Sequence, residues 1–65
     1  MLLTTFTKND AQSVRAEVYE TSEGYRVIYY NQNQVMNQEE YPQKNIQQVQ
    51  HIVENWLQNV KVLHG

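Results

Sequence analysis

At 65 residues with a net charge of −2, the chain sits at the lower edge of what can bury a core unaided, since a domain of about 60 residues hides only about 60% of its unfolded surface. It has no cysteine to close a disulfide and no Cys/His cluster to hold a structural zinc, which leaves oligomerisation as the remaining rescue for so small a core. Lys8, Arg15, Arg26, Lys44 and Lys61 are scattered, so the clustered basic footprint of a nucleic-acid binder is missing.

Residues 1–65 are expected to form one domain. Met1 to Thr7 carries no basic start and no small-residue cleavage site, and is too short for the apolar region of a signal peptide. No stretch approaches the roughly 20 apolar residues of a membrane span. With the lack of cysteine, these features point to a soluble, cytoplasmic protein that does not engage a membrane. Asn and Gln together make up about a quarter of the chain; they interleave with a regular apolar pattern and read as uncharged solvent-facing positions.

In chain order, Leu2 to Thr7 is read as a strand, with Lys8-Asn9-Asp10 as its turn; the alternative is an arm whose Leu2, Leu3 and Phe6 dock on the core or on another chain. Ser13 to Tyr19 follows, where Val14, Ala16 and Val18 alternate with Arg15, Glu17 and Tyr19. Period two predicts a half-buried strand. Glu20-Thr21-Ser22-Glu23-Gly24 is a turn whose glycine can take the positive φ of a tight hairpin. Tyr25 to Tyr30 is aromatic and β-branched on both faces apart from Arg26, and is expected to be the central strand. The asparagines of Asn31-Gln32-Asn33 tolerate left-handed geometry and predict a second turn. Gln34 to Tyr41 is then a more polar edge strand, blunted against aggregation by Glu39 and Glu40.

Pro42 cannot donate to a ladder, so the sheet should stop at Tyr41. Asn45 is a candidate N-cap, with Gln48 placed to reach back as in a capping box. From there Ile46, Val49, Val53, Trp56, Val60 and Leu63 recur at spacings of three and four, a continuous helical stripe widened by Ile52 and Leu57. Trp56 is expected to be the core anchor, and the helix should fray near Lys61. The fold class is therefore α+β: a three- or four-stranded antiparallel β-meander packed on one C-terminal α-helix.

One sheet face must meet that helix and the other must not. In the central strand either Tyr25, Val27 and Tyr29 or Arg26, Ile28 and Tyr30 turn outward. Either set is aromatic for a solvated surface, and tyrosine is enriched at interfaces. Tyr19, Tyr25, Tyr29 and Tyr30 are accordingly the candidate interaction residues.

At Gly24-Tyr25-Arg26-Val27-Ile28-Tyr29-Tyr30, Glu40-Tyr41-Pro42 and Val53-Glu54-Asn55-Trp56, the chain resembles small uncharacterised proteins encoded by cyanophages and marine cyanobacteria, over roughly two thirds of its length. The resemblance carries no assigned activity. What it implies is a short phage product that acts by binding a host or phage protein rather than by catalysis.

The chemical constellations are sparse. His51 and Glu54 stand at i and i+3 on the polar side of the helix without a second motif to complete a metal shell, and read as solvated surface. His64 suits a helix C-terminus. Glu39 and Glu40 are adjacent and face opposite sides of a strand, so they cannot work as an acid/base pair. Arg15 and Arg26 are expected on neighbouring strands near Glu17, as cross-strand ion pairs. Gly24 stands alone, without the glycine-rich loop of a phosphate site. Catalytic, cofactor-binding and metal-ligating residues are therefore expected to be none. The expected function is a non-enzymatic protein-interaction module, self-associating as a dimer or binding a host protein. The alternative is a single-stranded nucleic-acid binder that stacks bases on sheet tyrosines.

Overall fold

The computed structural model describes residues 1–8 and 11–59. It contains four strands, β1 (Leu2–Lys8), β2 (Ala11–Thr21), β3 (Gly24–Asn31) and β4 (Gln34–Tyr41), followed by one helix, α1 (Ile46–Asn59). The strands form a single antiparallel sheet in the order β1-β2-β3-β4, so the fold is the expected α+β meander with its helix on one face. The N-terminal segment is a strand paired with β2, not an arm. Lys8 belongs to β1, and the rest of its expected turn, Asn9 and Asp10, lies outside the described residues, as do His64 and the helix end near Lys61.

The alternation in β2 decides which face is the core. Val14, Ala16 and Val18 are fully buried, and pairing sets Val18 against Val27 and Ala16 against Tyr29. Of the two sets open to β3, it is therefore Tyr25, Val27 and Tyr29 that turn toward α1, while Arg26, Ile28 and Tyr30 turn away. The buried cluster is completed by Val49, Val53 and Leu57 of the helix, with Phe6, Tyr25, Tyr41 and Trp56 packed at its margin. Trp56 is thus a flank of the core rather than its centre. Its ring lies against Tyr29 at 4.7 Å between centroids, tilted 44°. The helix buries Val49, Val53 and Leu57, so Leu57, expected only to widen the stripe, belongs to the core itself.

Both hairpins are tighter than the sequence suggested. Thr21 pairs with Gly24, leaving Ser22 and Glu23 as a two-residue loop, so Gly24 sits at the start of β3 and not within the turn. Glycine is required there twice over, by a φ of +149° and because a Cβ would stand 2.6 Å from the carbonyl oxygen of Tyr41 and 2.7 Å from Cα of Pro42. In the second hairpin the left-handed residues are Gln32 (φ 52°) and Asn33 (φ 63°), the paired positive φ of a primed two-residue turn. Asn31, expected to share that geometry, ends β3 and is buried.

The helix start follows expectation. Asn45 Oδ1 accepts from the backbone N–H of Gln48 at 2.9 Å, and Gln48 Oε1 accepts from the N–H of Asn45 at 2.9 Å, so Asn fills the role usually held by Ser or Thr. Near its other end the helix is tied to the first strand, where Lys8 Nζ donates to the carbonyl of Leu57 at 2.7 Å. The helix lies across β1, β2 and β3, and residues 34–40 of β4 are exposed.

Candidate functional site: the open sheet face

The face turned away from α1 is a regular lattice, because antiparallel pairing aligns alternate residues across all the strands. One row runs Leu2, Tyr19, Arg26, Glu40; the next Thr5, Glu17, Ile28, Gln38; the last Thr7, Arg15, Tyr30, Val35. Two bulges bring the ends of the edge strands into these rows, one around Leu3 in β1 and one around Met36 in β4.

The polar groups of this face are committed to one another. Arg15 Nε donates to Glu17 Oε2 at 3.1 Å, and one of its terminal nitrogens donates to Asn33 Oδ1 at 2.9 Å. Its guanidinium carbon lies 4.0 Å from the centroid of the Tyr30 ring, a cation–π geometry. The Tyr19 hydroxyl donates to Glu17 Oε1 at 2.6 Å. That hydrogen bond, with the donors and charge of Arg15 beside it, holds the Glu17 carboxyl below its ordinary value; the same bond pushes the Tyr19 phenol up. Arg26 grips Glu40 through two nitrogens at 2.8 and 3.1 Å.

The expected pairing of both arginines around Glu17 is therefore corrected. Arg15 pairs with Glu17 along its own strand, while Arg26 stands opposite Tyr19 and reaches Glu40 on β4. Glu39 opposes Val27 on the other face, so Glu39 and Glu40 are on opposite sides, as the strand reading requires.

The candidate tyrosines do not share one surface. Tyr19 and Tyr30 lie on the open face. Tyr29 is buried against Trp56 and lies 3.3 Å hydroxyl to hydroxyl from Tyr41; burial first, and that hydrogen bond second, push its phenol well above the ordinary tyrosine range. Tyr25 is half-buried at the edge of the same core. Arg15, Arg26, Glu17 and Glu40 were not among the candidates for the interaction surface. The signal that could have found them is the alternation of β2, which sends Arg15, Glu17 and Tyr19 to one side together.

A depression of about 520 Å³ beside this network is lined by Thr5, Thr7, Arg15, Glu17 and Asn33. A carboxylate already engaged by a guanidinium and a phenol is a poor base, so the arrangement suits recognition better than proton transfer. Elsewhere, His51 is exposed and Glu54 accepts a long hydrogen bond from Gln50 at 3.4 Å. Among the described residues no group of three or more His, Cys, Asp or Glu could hold a metal ion, and no helix is long and apolar enough to cross a membrane. Comparison with known proteins returns no matching family model, curated protein or solved structure.

Proposed function

We propose that this domain is a non-enzymatic protein-interaction module that works through the open sheet face, with Tyr19 and Tyr30 as its aromatic contacts. The observation that carries the reading is the state of that face: no layer of the described chain covers it, yet its charges are already paired, Arg15 with Glu17 and Arg26 with Glu40. Burying a charge is costly unless it is paired and hydrogen-bonded. A surface that arrives with its ion pairs formed is cheaper to desolvate against another protein. Single-stranded nucleic acid is the weaker fit. The arginines balance glutamates on the same face, so the net positive surface that a phosphate backbone selects is missing.

The test is capture of partners from lysate by the tagged chain, after nuclease treatment, compared with Tyr19→Ser, Tyr30→Ser and the helix-surface control Gln47→Ala. The reading expects proteins retained by the control and lost by the two tyrosine variants. Capture indifferent to both tyrosines overturns it; partners lost on nuclease treatment favour the nucleic-acid reading.

A further inference from the structure

The two hairpins fix which backbone groups the free edge of β4 presents. A two-residue hairpin loop is closed by a hydrogen-bonded pair, and bonded and non-bonded pairs alternate along an antiparallel ladder. Thr21 with Gly24 and Asn31 with Gln34 close the two loops. Along β3 the main chain of Tyr25, Val27 and Tyr29 therefore faces β4 and bonds Tyr41, Glu39 and Asn37, their partners in register. Gln38 and Glu40 are left with N–H and C=O groups turned away from the sheet. Among the described residues nothing hydrogen-bonds those groups, and residues 34–40 are exposed on both faces beyond the reach of α1. The opposite edge is less regular: β1 breaks register between Leu2 and Thr4 and between Thr7 and Lys8, and Lys8 ties it to the helix.

The side chains of this edge define what can pair with it. Glu39 and Glu40 are exposed and point to opposite faces, and each is held through a single oxygen. Glu39 Oε1 accepts from Asn37 Nδ2 at 3.0 Å, and the two Arg26 nitrogens share Glu40 Oε1. Among the described residues no hydrogen bond reaches Oε2 of either carboxylate, so each keeps an acceptor for an incoming cation. Toward the hairpin, Val35 and Met36 are 60% and 59% exposed. An added strand lies about 4.8 Å from β4, where cross-strand side chains meet. It therefore meets carboxylates at one end and apolar groups at the other. An identical strand would bring the same carboxylates to the seam a second time, whereas lysine or arginine there cancels them. Charges that guard an edge against like strands thus select for basic ones.

We infer that β4 is a docking edge for an extended basic segment of another protein, which adds antiparallel as a fifth strand and bonds the main chain of Gln38 and Glu40. Two successive basic residues of that segment fall opposite Glu40 and Glu39, one on each face, and apolar residues further along lie beside Met36 and Val35. Main-chain bonds supply the attachment and these side chains the selectivity, as in other peptides taken up at a sheet edge. The site borders the open face without using Tyr19 or Tyr30, so it stands independently of the function proposed above.

The probe is the peptide acetyl-KRTTVV-amide, with acetyl-EETTVV-amide as its acidic counterpart, titrated into the isotope-labelled full chain and followed by NMR. The basic peptide should shift the resonances of β4 and slow hydrogen exchange at the Gln38 and Glu40 amides. The double variant Glu39→Gln/Glu40→Gln should bind it about tenfold more weakly, the loss expected for two exposed ion pairs. Methylating the Gln38 amide nitrogen in a synthetic chain removes an outward donor and no bond to β3; binding should vanish while circular dichroism stays unchanged. Absence of binding up to millimolar peptide overturns the edge as a site. Equal binding of the acidic peptide, or full binding by the glutamine variant, overturns the charge selection. Exchange protection that grows with the concentration of the chain alone overturns the peptide in favour of a second copy. Tyr19→Ser and Tyr30→Ser should bind the peptide as the parent does, and loss in both would move the site to the open face. If the peptide fails while partner capture still depends on those tyrosines, the open-face reading survives.

Discussion

Gly24→Ala is the most exacting test of the hairpin geometry. A methyl at this position meets backbone on every side: the Tyr41 carbonyl oxygen at 2.6 Å, Pro42 Cα at 2.7 Å and the Pro42 carbonyl oxygen at 2.9 Å. None of these is the yielding end of a side chain, so the end of β4 must move by several tenths of an ångström. Overpacking of this kind costs about 1–3 kcal/mol. A non-glycine residue held at φ +149° costs about 1–3 kcal/mol more. The sum, about 2–6 kcal/mol, stands against a total stability of about 3–10 kcal/mol for a chain of this length at the usual per-residue value. Urea denaturation followed by circular dichroism should show the midpoint falling by a large fraction, or no folded baseline. A chemically synthesised chain with D-alanine at position 24 separates the causes. Its methyl points to the opposite side and its φ is favourable, so most of the loss should be recovered. An L-alanine variant within about 0.5 kcal/mol of the parent would refute both the close approach and the strain.

The position of the helix is tested by a pair of truncations. Val53→Ala, at a fully buried site, is expected to cost about 2 kcal/mol, and Trp56→Ala about 3 kcal/mol, the low end for an aromatic because one side of the indole is solvated. Equal tolerance of both in urea melts would mean the helix face is rotated. Removing the cap by Asn45→Ala should cost about 1 kcal/mol, and adding Gln48→Ala should cost less than a second such loss, since the two bonds are reciprocal. Additive losses in that cycle would refute the box. Tyr29 gives an alkaline signature. Its folded phenol titrates above the unfolded value of about 10, so the unfolded state gives up its proton first. The stability it confers is complete below about pH 10 and is lost as pH rises beyond it toward the folded value. Tyrosinate absorbance should rise together with unfolding in that range, whereas Tyr29→Phe should abolish this component.

The elements were legible wherever a local pattern carried the cause. Val14, Ala16 and Val18 mark a strand by themselves, Pro42 marks its neighbour's end, and Asn45 with Gln48 marks a helix start. What could not be read depended on residues far apart in sequence. Tyr25 to Tyr30 is apolar on both faces, so its orientation came from the register against β2. The partner of Arg26 depended on the bulge around Met36, which sets where Glu40 falls. Gly24 is constrained as much by Tyr41 and Pro42 as by its own hairpin. The candidate site was half legible for the same reason: tyrosine content located the central strands, but the division into Tyr19 and Tyr30 on one face and Tyr25 and Tyr29 on the other is a property of pairing.

The strand order also bears on how the chain finds its structure. In the order β1-β2-β3-β4 every pairing joins consecutive segments, and hairpins close in about 1–10 μs. The sheet can therefore assemble by successive short closures, with little entropy lost in each. The helix is different. Its attachment to the first strand, including the Lys8 bond to Leu57, joins residues 49 apart in sequence and must wait until β1 has been brought into the sheet. Docking of α1 should therefore limit the folding rate, with the meander forming early and remaining unstable until the helix covers Val14, Ala16 and Val18.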